Sequence, residues 1–139
     1  MARVRLIWLL PLVLIAFILL PYGWVGDFVR PYYNLLNALF VTEIHHAIGH
    51  ALQFFALVLL TWYCVPAIRT RPLLLLTIVL LAGIGQECFQ LIYKGRGVGF
   101  NEFQDLIADL VGGMLGLITA RWLWPTQTLS NRHDQTATG

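Results

Sequence analysis

His46 and His50 are four residues apart, Glu87 and Gln90 three apart, and Asp105 and Asp109 four apart. On a helix each of these spacings puts both side chains on one face. Imidazole and carboxylate groups held together can act as general acid and base, one giving and one accepting a proton. Arg96 stands in the glycine-rich stretch 94–99, and a guanidinium there can hold an anionic group such as phosphate through paired N–H donors. The residues expected to act on a substrate are His50, Glu87 and Asp105. Those expected to bind it are Arg96, Gln90, Asp109 and His46. The His46/His50 pair also has a spacing that can share a metal ion. No zinc-protease histidine motif accompanies it, so no metal or other cofactor is assigned. Each residue also has a plainer structural reading. Asp105 can cap a helix near the membrane interface, the histidines can serve packing, and Glu87 can hydrogen-bond a neighbouring helix. It is their joint placement that points to a site.

The elements that must position these groups are apolar. Of the 139 residues, 58% are hydrophobic and 12% charged, against roughly a quarter charged in a soluble domain. Four apolar blocks, about 6–25, 46–68, 72–93 and 103–124, are each long enough for a bilayer core that needs roughly 20 helical residues. The fold class is therefore all-α, a polytopic membrane bundle of about four transmembrane helices. The domain occupies 1–125, followed by a polar, disordered cytoplasmic tail over 126–139. The first block follows Arg3 and Arg5 but lacks a small-residue cleavage site, and reads as an uncleaved helix. Between the first two blocks, Leu35, Leu36, Leu39 and Phe40 recur at helical spacing around Asn34 and Asn37. They predict a short amphipathic helix in the interface, anchored by Tyr32 and Tyr33. Cys64 and Cys88 fall inside apolar blocks and imply no disulfide. The net charge of +2 is spread over the loop ends and leaves no footprint for nucleic acid.

Ionisable residues within a span are costly, and they are default candidates for function. Counted from the ends of the expected helices, Glu87 and Asp109 each lie about 9 Å deep and His50 about 6 Å, at 1.5 Å per residue. All three are on the side of the 94–99 loop, which carries Arg96. Gly112 and Gly116 continue the Asp105/Asp109 face and are followed by Ala120. A stripe of small residues lets membrane helices approach closely, so the aspartates should face the bundle interior. Gly83, one turn before Glu87, makes the same argument for the third span. Three carboxylates then meet one arginine, which is expected to pair with an aspartate and leave Glu87 as the proton-exchanging partner of His50.

Glu87-x-x-Gln90, Gly95-Arg96, and Asp105-Leu106-x-Ala108-Asp109-Leu110-x-Gly112 with Gly116 together resemble the VanZ-like family of small polytopic membrane proteins. His50 with Phe54, Phe55 and Leu57 is similar to the histidine motif of that family's preceding helix. The resemblance covers about 44–122. It implies a bundle of four or five helices and a place in the bacterial envelope, since the family's namesake confers low-level resistance to teicoplanin. It supplies no reaction. The chain departs from the family pattern at His46-Ala47, where Asp-Lys is usual, and at Asp109, where Asn is usual.

Two classes of function remain open at this stage. One is a membrane-embedded enzyme or binding protein whose partner is a membrane lipid or lipid-linked envelope precursor, with Arg96 on its anionic headgroup. The other is a non-enzymatic module, either a helper subunit or a small proton-coupled transporter. Four helices are few for a transporter, so that version requires a homo-oligomer, a dimer at least. The arginines and lysine divide six to three, with Arg3, Arg5, Arg69, Arg71, Arg121 and Arg132 against Arg30, Lys94 and Arg96. The positive-inside rule then puts both termini in the cytoplasm of a multi-pass protein in the bacterial inner membrane. A cysteine introduced at Gly97 should accordingly react with a membrane-impermeant thiol reagent in intact cells. Reaction only after permeabilisation would invert the orientation.

Overall fold

A computed structural model describes residues 7, 9–20, 25, 28–39, 41–95 and 97–125, with the side chain of Leu36 excepted. Arg96, Phe40 of the expected amphipathic helix and the tail 126–139 lie outside the described residues. The elements are α1 (Leu9–Leu19), α2 (Arg30–Leu39), α3 (Glu43–Cys64), a 3-10 helix (Pro66–Thr70), α4 (Pro72–Lys94) and α5 (Phe100–Leu123). No strand occurs among the described residues. Three helices, α3, α4 and α5, are long and apolar enough to cross a membrane, and α1 adds a shorter apolar segment. The chain is a helical membrane bundle.

The helix ends follow from local chemistry. The Thr42 hydroxyl accepts from the His45 N–H at 3.3 Å and caps α3, as N-cap hydroxyls commonly do. The sequence pattern carried the second span to residue 68, but α3 stops at Cys64. Pro66 lacks an N–H and restricts the residue before it, so the chain passes into the 3-10 turn. Arg69 folds back over this end, its Nε donating to the Trp62 carbonyl at 3.0 Å. Pro72 opens α4, where its missing N–H costs nothing. Gly95 closes α4 with φ +59°, a left-handed cap that favours glycine. The fourth span begins at Phe100 rather than near 103, because the Glu102 carboxylate accepts from the Gly99 N–H at 2.8 Å and draws the preceding turn into the helix start.

The long helices form a ring. α3 and α5 share the most extensive interface, α4 packs on α5, and α1 packs on α3 and α4. The core they enclose contains Ile18, Phe54, Leu57, Val58, Trp62, Leu75, Val79 and Leu117. Outward-facing residues are apolar too, with Leu73, Ile92, Ile118 and Trp122 each 63–81% exposed. That distribution suits a bundle bathed in hydrocarbon, which also removes backbone polar groups from water and favours helices. α2 is the amphipathic segment anticipated from its leucines, with Leu35 and Leu39 on its exposed surface. Cys64 is buried, Cys88 is exposed, and both are free.

The small-residue stripe sets how close α3 and α5 come. A Cβ on Gly112 would lie 2.0 Å from the carbonyl oxygen of Ala51, and one on Gly116 would lie 2.8 Å from that of Phe55. Both obstacles are backbone, which cannot rotate away. At Gly85 the nearest atom is the flexible end of Leu19, at 3.0 Å, and at Gly97 nothing lies within 4 Å. Gly112→Ala should therefore destabilise the protein by about 1–3 kcal/mol, the range for overpacking, seen as a lowered midpoint in thermal unfolding in detergent. Gly97→Ala should leave the midpoint unchanged. Equal effects of the two substitutions would show that α3 and α5 do not depend on this contact.

Candidate functional site

Four of the anticipated residues converge on one imidazole. His50 comes from α3, Glu87 from α4, and Asp105 and Asp109 from successive turns of α5. His50 lies seven residues past Glu43, Glu87 seven before Lys94, and Asp109 nine past Phe100. At 1.5 Å per residue these depths are roughly 10–14 Å. The level is common, as the sequence implied, but deeper, because α3 and α5 both begin earlier than their apolar cores suggest. His50 and Glu87 are each 7% exposed and Asp109 is fully buried. Asp105 is half-buried.

His50 Nδ1 lies 2.8 Å from Asp109 Oδ1. We assign this as Nδ1–H donating to the carboxylate, which leaves Nε2 as the ring's lone-pair nitrogen. Asp105 Oδ2 is 3.9 Å from that nitrogen. Glu87 Oε1 is 4.0 Å from Nδ1, beyond hydrogen-bonding distance, and it has no hydrogen-bond partner among the described residues. The short contact thus belongs to Asp109 rather than to Glu87, the partner the sequence suggested. Asp109, assigned from sequence to substrate binding, is placed behind the ring. From there it can fix the tautomer and orientation of His50, as carboxylates do for catalytic and metal-binding histidines. Space for Asp109 comes from Gly83, where a Cβ would stand 2.6 Å from Oδ2.

Above this cluster opens a cavity of about 390 Å³, at the end of the bundle where α3 begins, α4 ends and α5 begins. His50 and Asp105 reach it from below, and His46, Gln90, Lys94, Glu43, Asn101 and Glu102 surround them. The anticipated His46 and Gln90 therefore line the site, whereas Arg96 lies outside the described residues. Lys94 Nζ donates to Gln90 Oε1 at 2.8 Å, and Asn101 Nδ2 donates to Glu43 Oε1 at 3.3 Å. Glu43, Lys94 and Asn101 were not anticipated as site residues. They end or begin the same three helices that carry the cluster, so helix-end position was the usable signal. Gln86 was also missed. It is buried, and neither polar atom of its side chain has a hydrogen-bond partner among the described residues.

The arrangement can hold a polar group in the cavity against Nε2 of an oriented imidazole and exchange a proton with it. No protein-family model, curated protein or solved structure matches the chain.

Removing either member of the His50–Asp109 pair strands the other in the interior, which costs about 1–3 kcal/mol for an unpaired buried polar group. Asp109→Ala and His50→Ala should each lower stability by that order. The double variant should fall short of the sum of the two by about 0.5–3 kcal/mol, the coupling of groups in direct contact. Strict additivity in thermal or denaturant unfolding would mean the pair is not formed.

Proposed function

We propose that the protein binds and processes the polar head of an envelope lipid or lipid-linked cell-wall precursor at the His50 site. The observation that carries this reading is the position of the cavity. It lies at one end of three membrane-length helices, with the His50–Asp105 edge at its base. Exposed apolar side chains flank it, among them Ile44, Ile48, Phe100 and Phe103. An amphiphile fits that boundary, its head within the polar cavity and its tail along the apolar helix surface. A freely soluble polar substrate would make no use of those flanks.

In this reading Asp109 orients His50, Nε2 faces the headgroup as acid or base, and Gln90, Lys94 and His46 position it. Arg96, two residues after Lys94 in the sequence, would be a further cation for an anionic head. The resemblance to the VanZ-like family supports the same direction. It extends the proposal to the bacterial cytoplasmic membrane and to a contribution to teicoplanin resistance, and the arginine split would put the cavity on the outer side.

The test is lipid profiling of cells with and without the gene, complemented by wild type, His50→Ala or Glu87→Gln at matched membrane levels. Loss of the gene should change the abundance of a specific envelope lipid or precursor. Wild type should restore it, and the two variants should not. An unchanged profile, or full restoration by His50→Ala, would remove the proposed function.

A further inference from the structure

Glu87 presents an anomaly that the acid–base reading leaves unused. It is more than nine-tenths buried, and its Oε1 has no hydrogen-bond partner among the described residues although a histidine ring stands 4.0 Å away. A buried carboxylate without a partner is costly. That oxygen shares its surroundings with two other potential ligands. One donor atom each from His50, Glu87 and Asp105 can be chosen so that all lie within 4.8 Å of one another. The three residues come from three different helices, so the grouping is not an accident of neighbouring positions on one helix.

We infer that His50, Glu87 and Asp105 form a binding site for one divalent cation of the zinc or manganese class. Three features of the geometry carry the inference. His50 Nε2 lies 3.9 Å from Asp105, too long for a hydrogen bond, while Glu87 stands 4.0 Å from the ring on its Nδ1 side, and one donor atom from each of the three residues falls within 4.8 Å of the others. Bonds of about 2.0–2.2 Å to a tetrahedral ion hold ligand atoms roughly 3.3 Å apart, so Asp105 would close on Nε2 by a small rotation and Glu87 by turning from the Nδ1 side toward it. The second feature is Asp109, which engages Nδ1 at 2.8 Å and leaves Nε2 for the ion. A carboxylate behind a metal-binding histidine, fixing its tautomer and raising its basicity, is the usual outer-shell arrangement. The third is charge. Two carboxylates and a neutral imidazole compensate a doubly positive ion, and that ion in turn supplies the partner that Glu87 lacks.

One imidazole and two carboxylates form a mixed nitrogen and oxygen set, which suits zinc or manganese better than the all-oxygen preference of calcium or magnesium. Three protein ligands leave a coordination position open, and His50 and Asp105 both border the cavity. That position is where a lipid phosphate or a water molecule would bind. With an ion bound, Nε2 would be a ligand rather than a base, and the ion would supply Lewis acidity at the open position. The inference rests on the His50 cluster being the working centre of the proposed function. It does not depend on which lipid is bound.

The experiment uses full-length, tag-free protein in detergent, stripped with chelator and reloaded separately with Zn²⁺, Mn²⁺ or Mg²⁺. Metal content and thermal unfolding are both measured. The expected result is one Zn²⁺ or Mn²⁺ per chain with a raised unfolding midpoint, and no comparable response to Mg²⁺. Glu87→Gln and Asp105→Asn should each abolish stoichiometric uptake. Asp109→Asn should weaken it by about ten- to a hundred-fold, as loss of an outer-shell partner does, and His46→Ala should leave it unchanged. If Glu87→Gln does not fold, Asp105→Asn at the cavity edge carries the same comparison. Wild-type protein that takes up no ion, or uptake that survives both carboxylate substitutions, overturns the site. So does uptake abolished by His46→Ala. Because metal content is read without any lipid, a failure here is distinct from a failure of the lipid-profile test.

Discussion

A hydrogen bond between His50 and Asp109, 2.8 Å long and closed off from solvent, imposes most of the architecture around it. Polar groups in a low-dielectric interior must find partners within the protein, and an unpaired one costs more than the bond itself contributes. α3 and α5 must therefore approach until an imidazole on one meets a carboxylate on the other. Bulky residues at the crossing would hold the axes too far apart. Gly112 against the Ala51 carbonyl and Gly116 against that of Phe55 remove the obstruction. Gly83 does the same from α4, vacating the volume that Asp109 Oδ2 occupies. The glycines and the acids belong to one device, in which small residues admit the backbone and the backbone brings the charges together.

That device also separates the bundle into two functional halves. Toward the α3 C-terminus the interior is filled by Phe54, Leu57, Val58, Trp62, Leu75 and Val79, which are apolar apart from the buried Trp62 indole N–H and hold the helices in register. Toward the α3 N-terminus the same interface carries His50 and the acids and opens into the cavity. The apolar half supplies the rigidity, and the polar half can then keep a constellation that would be unfavourable in isolation. Burial of His50 and Glu87 depends on helix packing along the whole length and not on local contacts alone.

Much of this was legible in the residues, for reasons of period and spacing. Apolar blocks of membrane length fixed the helices, because a span must satisfy its backbone internally. Pairs at three- and four-residue spacing fixed the faces, and similar distances from the helix ends fixed the level at which His50, Glu87 and Asp109 meet. The choice of partner was not legible. Spacing places Glu87 and Asp109 at the same depth but does not show that Gly83 leaves room for one of them against Nδ1. Helix ends were misjudged where a single side chain decides them. Pro66 ends α3 within an apolar run, and Glu102 reaches back to Gly99 ahead of the fourth block. The lining residues Glu43, Lys94 and Asn101 escaped for the same reason, since hydropathy treats polar residues at helix ends as boundary rather than site.

The partners of those boundary residues bear on how the site selects its ligand. Among the described residues, Lys94 donates to Gln90, Glu43 accepts from Asn101, and Glu102 holds the start of α5. Each of these charges has a neutral hydrogen-bond partner around the entrance, and these contacts brace the ends of three helices. At the base, by contrast, the His50 ring stands 3.9 Å from Asp105 on its Nε2 side and 4.0 Å from Glu87 on its Nδ1 side, both too long for hydrogen bonds. Under the cavity, Glu87 Oε1 is buried with no hydrogen-bond partner among the described residues. Gln90, Lys94 and His46 at the rim would position a ligand, and a proton or a cation would find its partners among the three groups below. Recognition by shape and amphiphilicity at the entrance, with chemistry reserved for the base, is the division of labour that this arrangement favours.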